Sequence, residues 1–168
     1  MLDQILEDFR RTFPDLNFDL RPEFRIINAQ AITLAQERCV ILYGGLAYHP
    51  WLDENSLTFV LLHETGHHLA EGRKLPFYSN LACECSADHW AGTKGAELLL
   101  KKSGRRLTLR LAVEELGRIL EVQEQLAEPH YKKYKKLPLS SCWNCDWFRR
   151  KNAILQQKAQ PEDTNCDI

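Results

Sequence analysis

The feature that most constrains the fold of this chain is a pair of histidines four positions apart within one short run. The run reads His63-Glu64-Thr65-Gly66-His67. Residues four apart lie on the same face of an α-helix, so both imidazoles can reach one metal ion while Glu64 lies beside them. The run therefore predicts a helix with a metal site on one face, and zinc is the expected ion.

Neighbouring residues predict where this metal-binding helix begins and ends. Asp53 and Glu54 favour a helix start, because the N-terminal end of a helix attracts negative charge. Gly72 is a stop signal. We therefore expect the helix to run from about Glu54 to Glu71.

A catalytic zinc site takes three protein ligands and leaves the fourth position open, so a third ligand is needed. Glu84 is the candidate, at the start of a second predicted helix, and Asp88 lies one turn later on the same face. One carboxylate can bind zinc while the other accepts the remaining N–H of a ligand histidine. Cys83 or Cys85 is the alternative third ligand, although a helix turns each of them about 100° away from Glu84.

Two segments together resemble the ImmA/IrrE family of zinc metallopeptidases, which carry H-E-x-G-H followed by E-x-x-A-[N/D]-x-[aromatic]-A. The matching segments are His63-Glu64-Thr65-Gly66-His67-His68-Leu69 and Glu84-Cys85-Ser86-Ala87-Asp88-His89-Trp90-Ala91. The resemblance covers about residues 1–128. It implies zinc ligands at His63, His67 and Glu84, a catalytic base at Glu64, and proteolysis of a regulatory protein such as a transcriptional repressor.

Hydrophobic periodicity predicts an α+β fold. Apolar residues at helical spacing predict an opening helix that Pro14 ends, and the segments Arg25–Leu34 and Cys39–Tyr43 predict a small antiparallel sheet. The second helix is expected to begin after Ser79 or Asn80 and to run to Lys102, with Gly104 as its stop, and a third is expected from about Leu107 to Glu128. With the resemblance, this pattern predicts a zincin-like metallopeptidase core, in which the sheet packs on the metal-binding helix and on a second ligand-bearing helix.

Composition changes near Pro129, so we predict a metallopeptidase domain over residues 1–128 and a basic C-terminal tail over residues 129–168. The whole chain has a net charge of −1. Residues 129–151 alone carry +6, from seven Lys and Arg residues against one Asp. Three tail cysteines (Cys142, Cys145 and Cys166) could form part of a second, structural zinc site or remain free thiols.

Two functions are compatible with these features. The first is a zinc endopeptidase in which Glu64 takes a proton from the attacking water, and in which the substrate pairs with a strand such as Cys39–Tyr43. The second is a non-enzymatic protein, stabilised by zinc, that contacts nucleic acid or another acidic partner through the basic, aromatic tail. The completeness of the two motifs favours the endopeptidase.

Several features predict a cytoplasmic protein. The longest strongly apolar stretch, residues 57–62, is far shorter than the ~20 residues of a membrane span. Four charged residues among the first ten do not suit a secretory signal. In the cytoplasm the six cysteines of the chain are expected to stay reduced.

Overall fold

Helices and two small sheets make up the chain in the computed structural model, which describes residues 1–75, 78–120 and 154. The α+β class predicted from the sequence is confirmed. In chain order the elements are α1 (Leu2–Thr12), β1 (Asn17–Arg21), β2 (Ala29–Leu34), β3 (Glu37–Tyr43), α2 (Gly44–Ala47), α3 (Glu54–Leu69), β4 (Lys74–Leu75), β5 (Tyr78–Ala82), α4 (Glu84–Trp90), a π-helical turn (Ala91–Gly95) and α5 (Ala96–Ser103). Residues 109–120 are also helical.

The larger sheet has the strand order β1-β3-β2 and is mixed. The antiparallel prediction is confirmed for β2 and β3, and the sheet also contains β1, which lies outside the two predicted segments and pairs with β3 in parallel. The strand with the most buried apolar residues, β3, lies in the centre, where both of its edges are paired. The expected pairing of a substrate with Cys39–Tyr43 is therefore wrong, because that strand has no open edge.

The parallel pairing follows from the path of residues 22–28, which cross the end of the sheet between β1 and β2. Two glycines at the end of β3 lie directly against this crossing segment. A Cβ on Gly44 would lie 2.3 Å from the carbonyl oxygen of Pro22, and one on Gly45 would lie 2.6 Å from the backbone of Arg25. Only glycine leaves room for the crossing.

The metal-binding helix α3 lies at the centre of the fold. The Asp53 side chain caps it by accepting a hydrogen bond from the Ser56 amide at 2.9 Å. It ends at Leu69, two residues earlier than predicted, because Ala70 is already extended. Since 12 of its 16 residues are buried, the polar side chains on α3 are held away from bulk water.

The second predicted helix begins later than expected. Residues 78–82 form β5, which pairs with β4, so the polar residues Ser79 and Asn80 are not a helix start. The helix begins at Glu84 and continues through the π-helical turn to Ser103. Gly104 ends it in the left-handed conformation with φ of 77°, as the sequence predicts.

Residues 109–120 account for the first part of the third predicted helix, while its remainder, 121–128, lies outside the described residues. The boundary at 128/129 and the cysteines Cys142, Cys145 and Cys166 lie outside them as well. Ile154, from the predicted tail, is buried in the same apolar cluster as Phe9, Leu42 and Leu99. Over the part of the chain that the structure describes, no helix combines the length and the apolar character needed to cross a membrane.

Candidate metal centre

Two packed helices carry the side chains that the sequence singles out for a metal. His63 and His67 lie one turn apart on α3, and Glu84 is the first residue of α4. One ligand atom from each residue lies within 4.8 Å of the others, so the three could hold a metal ion. Both histidines are buried, whereas the Glu84 side chain is 29% exposed, which leaves one side of the group open to solvent.

Each imidazole is oriented by a hydrogen bond from its second nitrogen. His63 Nδ1 donates to Asp88 Oδ1 at 2.7 Å, and His67 Nδ1 donates to the carbonyl oxygen of Ala82 at 2.7 Å. These partners assign the ring protons to Nδ1 and leave both Nε2 atoms facing the centre of the group. Acceptors of this kind fix the tautomer of a metal-binding histidine and make it a better ligand.

The facing atoms are separated by distances that suit zinc. His63 Nε2 lies 3.1 Å from His67 Nε2. Glu84 places one carboxylate oxygen 3.3 Å from His63 Nε2 and the other 3.5 Å from His67 Nε2. Ligands bound to a tetrahedral zinc ion at ~2.0–2.1 Å are ~3.3–3.4 Å apart. The observed separations of 3.1–3.5 Å lie within a few tenths of an ångström of the spacing of zinc ligands.

The surroundings of His63 favour a positive charge. Burial lowers the pKa of its imidazole, but the charge of Asp88 and hydrogen bonds to Asp88 and Glu84 outweigh burial and raise the pKa to about 10. The acceptors that hold a proton on His63 can hold a metal cation in its place. The electrostatics and the spacing of the ligand atoms therefore both indicate a metal cation at this site.

Glu64 lies next to this group and is buried, with 9% of its surface exposed. On an α-helix it is turned about 100° from His63 and about 60° from His67, so it shares their side of α3. Within residues 1–75 and 78–120 its carboxylate forms no hydrogen bond or ion pair. The carboxylate therefore remains available to accept a proton beside the metal group.

The cysteines considered as alternative ligands do not join the group. Among the described residues, the only set of three or more potential ligands gathered closely enough for a metal is His63, His67 and Glu84. The Cys83 thiol is buried and lies 3.3 Å from the Ser86 hydroxyl. The carboxylate, and not a thiolate, is therefore the third potential ligand.

Two further contacts hold the C-terminal turn of α3, and sequence reasoning did not identify either of them. His68 Nε2 donates to the carbonyl oxygen of Cys39 at 3.0 Å, and burial lowers the pKa of this imidazole, which keeps it neutral. The Ala82 carbonyl that orients His67 belongs to β5. Backbone carbonyls carry no side-chain signal, so no sequence pattern could have marked them.

Comparison of the chain with protein-family models, with curated proteins and with solved structures finds no match. The chemistry of the site therefore follows from its residues and distances. Two oriented imidazoles and one carboxylate can hold a divalent ion, and a buried carboxylate beside them can accept a proton.

Proposed function

We propose that the protein is a cytoplasmic, zinc-dependent endopeptidase with a zincin-like core of the ImmA/IrrE type. One observation supports this proposal most strongly. Two imidazole nitrogens, from His63 and His67, lie close to the Glu84 carboxylate, and the buried Glu64 beside them has no partner among the described residues. A structural zinc site needs no such glutamate, because its four ligands are all protein groups. A hydrolytic site needs both an open coordination position and a base.

In this proposal the residues of the site have three roles: to bind the metal, to orient the ligands and to transfer a proton. His63, His67 and Glu84 hold the ion, which supplies Lewis-acid activation of water and of the scissile carbonyl when bound. Asp88 and the Ala82 carbonyl keep the two imidazoles in the ligating orientation. Glu64 accepts the proton of the attacking water and returns it to the leaving amine.

The proposed substrate is an extended segment of a regulatory protein, such as a transcriptional repressor. With β3 in the centre, β1 and β2 are the edge strands among the described residues, and β2 is the one of the two that packs against α3. An extended polypeptide can add to such an edge through main-chain hydrogen bonds. We therefore propose that the substrate pairs with β2 and not with β3.

A substrate trap tests this function. Zinc-loaded Glu64→Gln protein is immobilised, the proteins that it retains from a cytoplasmic extract are identified, and each is then incubated with wild-type protein. We expect wild type to cleave a retained protein. Glu64→Gln should cleave it at least about a hundredfold more slowly at equal zinc content, because the variant lacks the proton acceptor.

The control is Glu71→Gln, which makes the same chemical change at an exposed position just after α3 and should cleave at the wild-type rate. Equal cleavage by wild type and Glu64→Gln would show that Glu64 is not the base. If both proteins bind the same partner and neither cleaves it, the zinc-stabilised binding protein is the better account, with nucleic acid or an acidic partner as its ligand.

A further inference from the structure

The helices that carry the metal ligands approach each other backbone to backbone at one glycine. A Cβ placed on Gly66 of α3 would lie 2.8 Å from the carbonyl oxygen of Ala87 and 3.0 Å from its Cα. Both atoms belong to the backbone of α4, so neither can move aside by rotating a side chain. Any larger residue at position 66 must push the two helices apart.

On both helices this contact is flanked in the chain by residues of the metal centre. Gly66 stands between His63 and His67 in the chain, and Ala87 stands between Glu84 and Asp88. The separation of the two backbones at this point therefore sets how far the Glu84 carboxylate lies from the histidine nitrogens. Those separations are 3.3 and 3.5 Å, close to the ~3.3–3.4 Å between the ligands of a tetrahedral zinc ion.

We propose that Gly66 is a positioning residue that makes the site selective for zinc over larger divalent ions. The inference rests on the proposed metal site. Relieving the contact with a Cβ from 2.8 Å to an ordinary 3.4 Å requires a displacement of about 0.6 Å. Such a displacement widens the site beyond the ligand spacing of zinc and brings it closer to that of an ion with longer bonds.

Binding of Zn²⁺ and Cd²⁺ tests the proposal without any assay of activity. The two ions have the same charge and a filled d shell and differ in size, but cadmium is the softer ion and prefers thiolates more strongly. Each affinity is therefore measured by competition with a chromophoric chelator in protein whose Cys85, Cys142, Cys145 and Cys166 are replaced by serine. In that protein the affinity ratio reports the dimensions of a site made of two imidazoles and one carboxylate. In Gly66→Ala we expect zinc affinity to fall about tenfold or more, and cadmium affinity to fall much less.

Gly92→Ala is the matched control. It is the same substitution in the following π-helical turn, where the new Cβ would meet only the flexible side chain of Leu109, at 3.3 Å. Its affinities for both ions should equal those of wild type. An equal loss of both affinities in Gly66→Ala, or no loss of either, would overturn the proposal, whereas a wild-type protein that binds neither ion would contradict the proposed metal site itself.

A second variant keeps the proposal testable if Gly66→Ala does not fold. Glu84→Asp shortens the third ligand by one methylene, at a partly exposed position, and leaves the contact between the helices untouched. We expect the same shift of the affinity ratio toward cadmium. An unchanged ratio in Glu84→Asp would show that the span between α3 and α4 does not control the choice of ion.

Discussion

Two hydrogen bonds orient the imidazoles of the metal centre. The sequence could predict the acceptor of one of them but not of the other. Asp88 follows Glu84 by one helical turn, so spacing alone suggests that its carboxylate can serve a ligand histidine. It lies 2.7 Å from His63 Nδ1. The acceptor for His67 is a backbone carbonyl that arrives through β5, and only the three-dimensional fold brings it there.

At the residue scale, the Asp88 contact predicts a graded effect on metal affinity. Asp88→Ala removes the acceptor that orients His63 and should weaken zinc binding by about 10–100-fold. Asp88→Asn should weaken it less, because the amide oxygen can still accept the Nδ1 proton. Chelator competition measures both, with Asp3→Ala on the exposed side of α1 as the control. Equal zinc affinity in Asp88→Ala and wild type would show that this contact does not support the metal.

At the scale of elements, local signals predicted helix ends better than strand partners. Asp53 caps α3 and Gly104 ends α5, and both act through residues adjacent in the chain. The parallel pairing of β1 depends on a strand twenty residues away and on the two glycines that let the crossing segment pass. Periodicity cannot report such a non-local arrangement, so the sequence did not predict the parallel pairing of β1.

Polar contacts tie the N-terminal end of α3 to the rest of the fold, and a buried ion pair between Arg105 and Asp8 lies beside them. Arg105 lies just after α5 and forms an ion pair with Asp8 of α1 at 2.6 Å. Each of these two side chains is 7% exposed. Arg105 also contacts Glu54 of α3. Ser56 and the Asp53 amide both donate to Glu115, at 2.6 and 3.1 Å. These contacts fix the helix that carries both histidines against its neighbours.

The buried pair predicts a large loss of stability when one partner is removed. Arg105→Ala leaves the Asp8 carboxylate buried with fewer partners and should lower the free energy of unfolding by about 3 kcal/mol. Lys101→Ala removes an exposed cation that pairs with Glu97 and should have a much smaller effect. Urea denaturation of the two variants gives the comparison. Similar losses in both would mean that burial does not distinguish the two ion pairs.

At the scale of the whole molecule, composition predicts a boundary between a core and a tail but does not predict that the tail contacts the core. The charge asymmetry and the cysteine pair mark residues 129–168 as different from what precedes them. Ile154 is nevertheless buried with the core residues of α1 and β3. Ile154 stands between Ala153 and Leu155, but so short an apolar run does not indicate which part of the core it packs against.

The central claim is that one zinc ion is held by His63, His67 and Glu84, and metal content tests it most directly. Wild-type protein and Glu84→Ala, both with Cys142, Cys145 and Cys166 replaced by serine, are dialysed against a weak chelator and analysed for zinc per chain. We expect about one zinc in wild type and almost none in Glu84→Ala, because two protein ligands hold zinc far less well than three. Full zinc occupancy in Glu84→Ala, or none in wild type, would contradict the assignment of the metal centre.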